Sequence, residues 1–220
     1  MFIQTESTPN PNSLKFILDD YKLCSDPIEF TKNQKHTHSI LADELLKIDG
    51  VENILFNENC ISINKNSFTW EQLKASILQV ISNHINSGLP AIEHDALKTN
   101  DLASIEFQDD DFHVVKKIND ILLSKIRPAI KQDGGDVSFL KYNSGIAYLA
   151  LKGSCAGCPS ATLTLKNGIE NLLKHHIPEI NKVTSTFVIG FLVTMVLYNI
   201  LYVLIEYGGG LVSPEGVKYF

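Results

Sequence analysis

Cys155 and Cys158, two residues apart in Gly153-Ser154-Cys155-Ala156-Gly157-Cys158-Pro159-Ser160, are the side chains in this sequence best placed to do chemistry. The run Ile146-Ala147-Tyr148-Leu149-Ala150-Leu151 before them is apolar and partly alternating, which predicts a half-buried strand. After them, Ala161, Leu165, Ile169, Leu172 and His176 recur at helical spacing, with Pro159 and Ser160 suited to a first turn. The pattern therefore sets both sulfurs on a small-residue loop at a helix N-terminus. Backbone N–H groups and the helix dipole favour thiolates there.

A CxxC pair is compatible with a redox couple, half of a zinc site, half of an iron–sulfur site, or a structural pair. Zinc would need two more ligands. His175 and His176 lie at the far end of the predicted helix, about 24 Å away at the usual rise. Adjacent histidines also lack the spacing that turns both toward one metal. An iron–sulfur cluster needs four thiolates. Of the other two cysteines, Cys60 alternates like a buried strand residue and Cys24 falls in a polar connection. The economical source of four sulfurs is a two-fold dimer in which each chain contributes Cys155 and Cys158.

The stretch from Ile126 to Asp136, Ile-Arg-Pro-Ala-Ile-Lys-Gln-Asp-Gly-Gly-Asp, followed by Gly153-Ser154-Cys155-Ala156-Gly157-Cys158-Pro159, resembles the C-terminal domain of NifU-like (Nfu-type) iron–sulfur cluster proteins. The opening Met1–Phe16, with its Pro9-Asn10-Pro11-Asn12, is similar to the N-terminal domain that accompanies it. The resemblance covers roughly residues 1–88 and 112–184. It implies a cluster assembly protein that binds a 4Fe–4S rather than a 2Fe–2S cluster through Cys155 and Cys158. It further implies a shared site in a homodimer, upstream assembly factors, and recipient apo iron–sulfur proteins. No general base, nucleophile partner or phosphate loop accompanies the cysteines, so the expectation is a carrier and not an enzyme. The rival reading is a thiol–disulfide oxidoreductase, although no tryptophan precedes Cys155. A membrane-tethered binding module is a third.

The elements that must position the pair predict an α/β (α+β) chain of two small domains. Residues 1–88 read as the first: strands at 2–5 and 13–18, a helix near Ser39 ended by Asp49-Gly50, and a hairpin 51–56/60–63. A helix capped by Thr69 with Gln72 at the capping-box position closes it. Residues 89–111 carry seven acids and one lysine, which predicts a flexible acidic linker. Residues 112–185 read as αββαβ, with Phe112, Val115, Ile118, Leu122 and Ile126 on one helix face. This second domain carries five acids and ten bases, a setting that suits thiolates and an anionic cluster. A single arginine and no aromatic-interleaved basic patch argue against nucleic acid as a partner.

Four cysteines are too few for a disulfide scaffold and fit a reducing compartment. With no signal-like or transit-like start, the expectation is bacterial cytoplasm, or mitochondrial matrix after processing. Residues 186–220 stand apart. Phe187 to Ile205 runs 19 residues without a charge, about 28 Å as a helix, enough to cross a bilayer. This predicts a C-terminal apolar helix acting as a membrane anchor; a buried core helix is the alternative.

Overall fold

Alternation of apolar and polar residues builds the N-terminal lobe from five strands. These are β1 (Ile3–Ser7), β2 (Ser13–Leu18), β3 (Ile28–Thr31), β4 (Val51–Phe56) and β5 (Cys60–Lys65). They pair antiparallel in the order β1-β2-β5-β4-β3. The computed structural model describes residues 2–32, 38–93, 107–156 and 159–185, with backbone alone at 109 and 159–162. The strand β3 lies in a stretch that the sequence pattern leaves as a polar connection. It is four residues long, with Phe30 buried in the core and Ile28 packed at its margin, too little for a period to register.

Two helices cover one face of the sheet, α1 (Ile40–Leu46) and α2 (Trp70–Asn86). Ser39 caps α1 by accepting from the Ala42 N–H at 3.1 Å. At the start of α2 the Thr69 N–H donates to Gln72 Oε1 at 2.9 Å, as the capping-box spacing predicts. Leu41 and Leu45 of α1 and Leu73, Ile77 and Ile81 of α2 pack on Leu14, Phe16, Ile61, Ile63, Ile54 and Phe56 of the sheet. Each such burial contributes about 1.5–3 kcal/mol. Ile40, expected on the buried face, is exposed. Cys24, expected in a polar connection, is instead buried in this core, where burial pushes its thiol up to about 12.

The opposite face of the sheet is polar in composition yet largely buried. Register places Glu6, Lys15, Ser62, Leu55 and Glu29 in one row across all five strands. A second row holds Ser13, Asn64, Asn53 and Thr31. Leu55 and Ser62 are fully buried although no helix covers them. Ala91 and Ile92, which the charge pattern assigns to a linker, also belong to the N-terminal core, where the Ser39 hydroxyl donates to Ala91 O at 2.6 Å.

The C-terminal lobe runs α3 (Phe112–Ile121), a π-helical turn (Leu122–Ile126), α4 (Arg127–Gln132), β6 (Gly135–Asn143), β7 (Ile146–Gly153), α5 (Pro159–His176) and β8 (Lys182–Ser185). Strands β6 and β7 form an antiparallel hairpin, and β8 pairs parallel to β7. The wide turn ahead of Pro128 has a steric cause, since a proline ring collides with the carbonyl four residues earlier in a regular helix. Phe112 is exposed and Val114 takes its place in the core beside Val115 and Ile118. In α5 the buried face is Ile169 and Leu173, continued by Ile177 beyond the helix end, so the predicted stripe is displaced; Leu165 and Leu172 sit at its margin. Residues 1–185 form one compact unit around these two cores. Among the described residues no helix is long and apolar enough to cross a membrane. The predicted apolar helix at 187–205 lies outside the described residues.

Candidate cluster-binding loop

Strand β7 ends at Gly153, and the chain turns through Ser154, Cys155 and Ala156 before α5 begins at Pro159. Gly153 adopts φ +59°, a left-handed conformation that costs glycine least. A side chain here would also meet Leu55 Cδ2 at 2.5 Å and Gly134 O at 2.7 Å. The turn is closed by backbone bonds from the Cys155 N–H to Lys152 O at 3.3 Å and from the Ala156 N–H to Gly153 O at 3.0 Å. Ser154 ties it to the preceding turn: its N–H donates to Gly134 O at 3.2 Å and its hydroxyl to Asp133 O at 2.6 Å.

That preceding turn is anchored by a buried ion pair. Arg127 Nε donates to Asp136 Oδ1 at 2.8 Å and an Arg127 terminal nitrogen to Asp136 Oδ2 at 3.0 Å. The planar guanidinium matches both carboxylate oxygens at once. Neither residue carries a signal of its own in hydropathy or period, so the pair is legible only as part of the longer stretch from Ile126 to Asp136.

Cys155 is 8% exposed and packs in the C-terminal core. Its Sγ fills the space beside Gly135, where any Cβ would overlap it. A cavity of about 450 Å³ adjoins the sulfur, lined by Pro9, Ile130, Asp133, Ser154, Thr164 and Leu165 along with Cys155. Cys158, the second predicted ligand, lies outside the described residues. Cys24 and Cys60 belong to the N-terminal lobe and do not line this cavity. His175 and His176 end α5, and His176 Nε2 lies 2.9 Å from Lys125 Nζ. Among the described residues no three His, Cys, Asp or Glu side chains converge as a metal-binding group.

The electrostatics differ from the sequence expectation of a thiolate poised at a helix start. Burial first, then Asp133 and Asp136, push the Cys155 thiol up to about 11, while the Ser154 hydroxyl lowers it in part. Cys155 precedes Pro159, the first helical residue, by four positions. The charges that raise it are these two aspartates, although the lobe as a whole is basic.

The N-terminal lobe meets the same loop. Asn10 Nδ2 donates to Ser154 O at 3.0 Å and Ala156 O at 2.9 Å. Asn64 Nδ2 donates to Gly153 O at 2.8 Å, and the Gly153 N–H donates to Glu29 Oε1 at 3.0 Å. Lys15 Nζ reaches Gln132 O at 2.8 Å. The Asn12 N–H donates to Asn10 Oδ1 at 3.0 Å, which fixes the amide so that its nitrogen faces the loop. The sequence pattern marks Asn10 only as part of the Pro9–Asn12 stretch and does not single out Asn64 or Glu29. Polar residues alternating along a strand ordinarily mark a solvent face.

Comparison with known proteins places these two lobes. Residues 3–88 match the family described as "Scaffold protein Nfu/NifU N terminal", and residues 118–184 match the NifU-like domain. The chain is 37% identical to a NifU-like protein of Schizosaccharomyces pombe, a match covering 84% of this chain and 72% of the relative. It is 39% identical to a Drosophila persimilis protein named "NFU1 iron-sulfur cluster scaffold homolog, mitochondrial", over 85% of this chain. The chain spans 66% of that fly relative's length. A solution structure of a NifU-like protein from Saccharomyces cerevisiae is 26% identical with a TM-score of 0.40, covering 43% of this chain and 87% of that one. By the two domain matches and the identity to these relatives, the chain belongs to the NifU-like (Nfu-type) family.

Proposed function

We propose that this chain is an iron–sulfur cluster assembly protein. It holds a 4Fe–4S cluster between two copies through Cys155 and Cys158 of each and passes it to apo iron–sulfur proteins. The observation that carries the reading is the placement of Cys155. Its sulfur stands at the wall of a cavity with room for a cluster, on a glycine-flanked turn closed by its own backbone bonds. Thiolate sulfur is the donor that iron–sulfur clusters take. With one CxxC per chain, four sulfurs require two chains. The names of the relatives, an iron–sulfur cluster scaffold homolog among them, support the assembly role, and their mitochondrial label supports a mitochondrial matrix location. As cargo, the cluster is received from upstream factors and released to recipients.

The chain's own residues supply three things. Ser154 and Gly153 hold the turn, Gly135 leaves space for the sulfur, and the Arg127–Asp136 pair keeps the turn before β6 in place. The raised thiol means that cluster binding must displace a proton from Cys155. The role read here is that of a carrier and not an enzyme, in line with the scaffold names of the relatives.

Anaerobic reconstitution with iron and sulfide tests this, followed by transfer to an apo 4Fe–4S acceptor enzyme. Wild-type protein should load and restore acceptor activity; Cys155→Ser and Cys158→Ser should do neither. Loading of Cys155→Ser to the wild-type iron content would overturn the site.

A further inference from the structure

The face of the N-terminal sheet opposite its helices is polar by sequence, yet Ser13, Leu55, Ser62 and Asn64 on it are buried. What buries the face is the C-terminal lobe, through the turn that carries Cys155. Leu55 packs on Gly153, Asn64 and Glu29 bind that glycine's two backbone groups, and Asn10 holds the carbonyls on either side of Cys155. Pro9 lines the cavity beside the sulfur. The face is thus complementary to a loop backbone, with amide donors opposite carbonyls and a carboxylate opposite an N–H.

The contact also carries a cost. Ser13 Oγ, Asn53 Oδ1, Ser62 Oγ and Asn64 Oδ1 are buried without a hydrogen-bond partner among the described residues. Each such group costs at least what a made hydrogen bond returns, and water would satisfy all four if the lobes parted. At this contact the loop-gripping bonds of Asn10, Glu29 and Asn64 are set against these orphaned atoms. Closure also has a steric consequence. The loop that Asn10 grips is the one that carries Cys155, so a second copy sharing a cluster through that sulfur has to reach the same loop.

We propose that the outer face of the N-terminal sheet is a reversible cover for its own chain's Gly153–Ala156 loop. Asn10, Glu29 and Asn64 hold it closed in the cluster-free chain, and it lifts when a second copy brings its CxxC loop to the same place. The second half rests on the shared-cluster reading given above; the first half does not. The linker stretch gives the N-terminal lobe a covalent tether, so opening does not separate the two. Cluster loading and exposure of this sheet face are then coupled, and the freed face of Leu55, Asn53 and Asn64 is presented only by loaded protein.

Full-length protein serves for the test, with Asn10→Asp and Asn64→Asp as variants. Both substitutions are isosteric, and Asn10→Asp keeps the acceptor that the Asn12 N–H uses. Each places an oxygen against loop carbonyls. Carbene footprinting of Leu55 and deuterium exchange of the 153–156 amides are read in the cluster-free state. Wild type should show both protected, and either variant should raise both about tenfold or more, the expected loss for hydrogen bonds removed and replaced by repulsion. Cluster-loaded wild type should label Leu55 like the variants. Equal labelling of wild type and variants without cluster would overturn the cover, and the wild-type measurement decides this even if a variant folds poorly. Leu55 staying covered in loaded protein would overturn the coupling. If wild type takes up no iron at all, the carrier reading fails, while the cover still stands or falls on the cluster-free measurements.

Discussion

Arg127 and Asp136 form a two-point ion pair beneath the turn that backs the Cys155 loop, with the Asp136 carboxylate fully shielded from solvent. Removing one partner leaves the other charge buried and unpaired, at a cost of about 3–5 kcal/mol. Arg127→Ala and Asp136→Asn should therefore lower the urea midpoint of the C-terminal lobe strongly. Arg127→Lys should recover only part, because an ammonium cannot reproduce the fork. Equal stability of all three variants and wild type would show that the pair contributes nothing.

Gly135→Ala sets a methyl group where the Cys155 sulfur now stands. The overlap should cost about 1–3 kcal/mol of stability. Because relief requires the sulfur to move, reconstitution well below the melting temperature should also give less iron per chain than wild type. A stable variant with full iron content would mean that the sulfur's position is not critical.

Burial raises the Glu29 carboxyl above its ordinary value, an effect that the Gly153 N–H and Lys152 oppose and Asp136 reinforces. An acid whose pKa is higher when buried stabilises the folded chain while it is protonated. That contribution is complete below the ordinary carboxylate range and is lost as pH rises through the raised value. The urea midpoint of wild type should fall across this window. Glu29→Gln keeps an acceptor for the Gly153 N–H without a titrating charge, and its midpoint should change less over the same range. A wild-type profile as flat as the variant's would contradict this.

Much of the fold could be read from the chain because its signals are local. The Thr69–Gln72 box, the helix start near Ser39 and the apolar periods of β2, β5 and α2 act within a few residues, and each appears where the pattern puts it. The thiol loop was legible for the same reason, since a strand, small residues and a proline bracket Cys155. What was not legible is non-local. Asn10 lies 144 residues from the Ser154 carbonyl that it holds. Ser62 and Asn64 look like a solvent face because their covering partner is another lobe. The raised Cys155 thiol was missed because the charge of a whole lobe says little about the two aspartates next to one sulfur.

The uncharged run from Phe187 to Ile205 has the length of a membrane span. Full-length protein should sediment with membranes after carbonate wash, with the folded lobes on the cytoplasmic or matrix side. A chain ending after Ser185 should be soluble and still load cluster. Full-length protein that stays in solution without detergent, or a truncated chain that fails to fold, would assign the run to a core.

Anaerobic native mass spectrometry of reconstituted protein bears most directly on the shared site, because it reads iron, sulfide and chain number in one species. Cys24→Ala and Cys60→Ala should match wild type, with one 4Fe–4S cluster in a two-chain species and none in the monomer. Cys155→Ser and Cys158→Ser should remain cluster-free monomers. A wild-type monomer carrying a complete cluster, or a cluster lost with Cys60→Ala and kept with Cys155→Ser, would contradict the account.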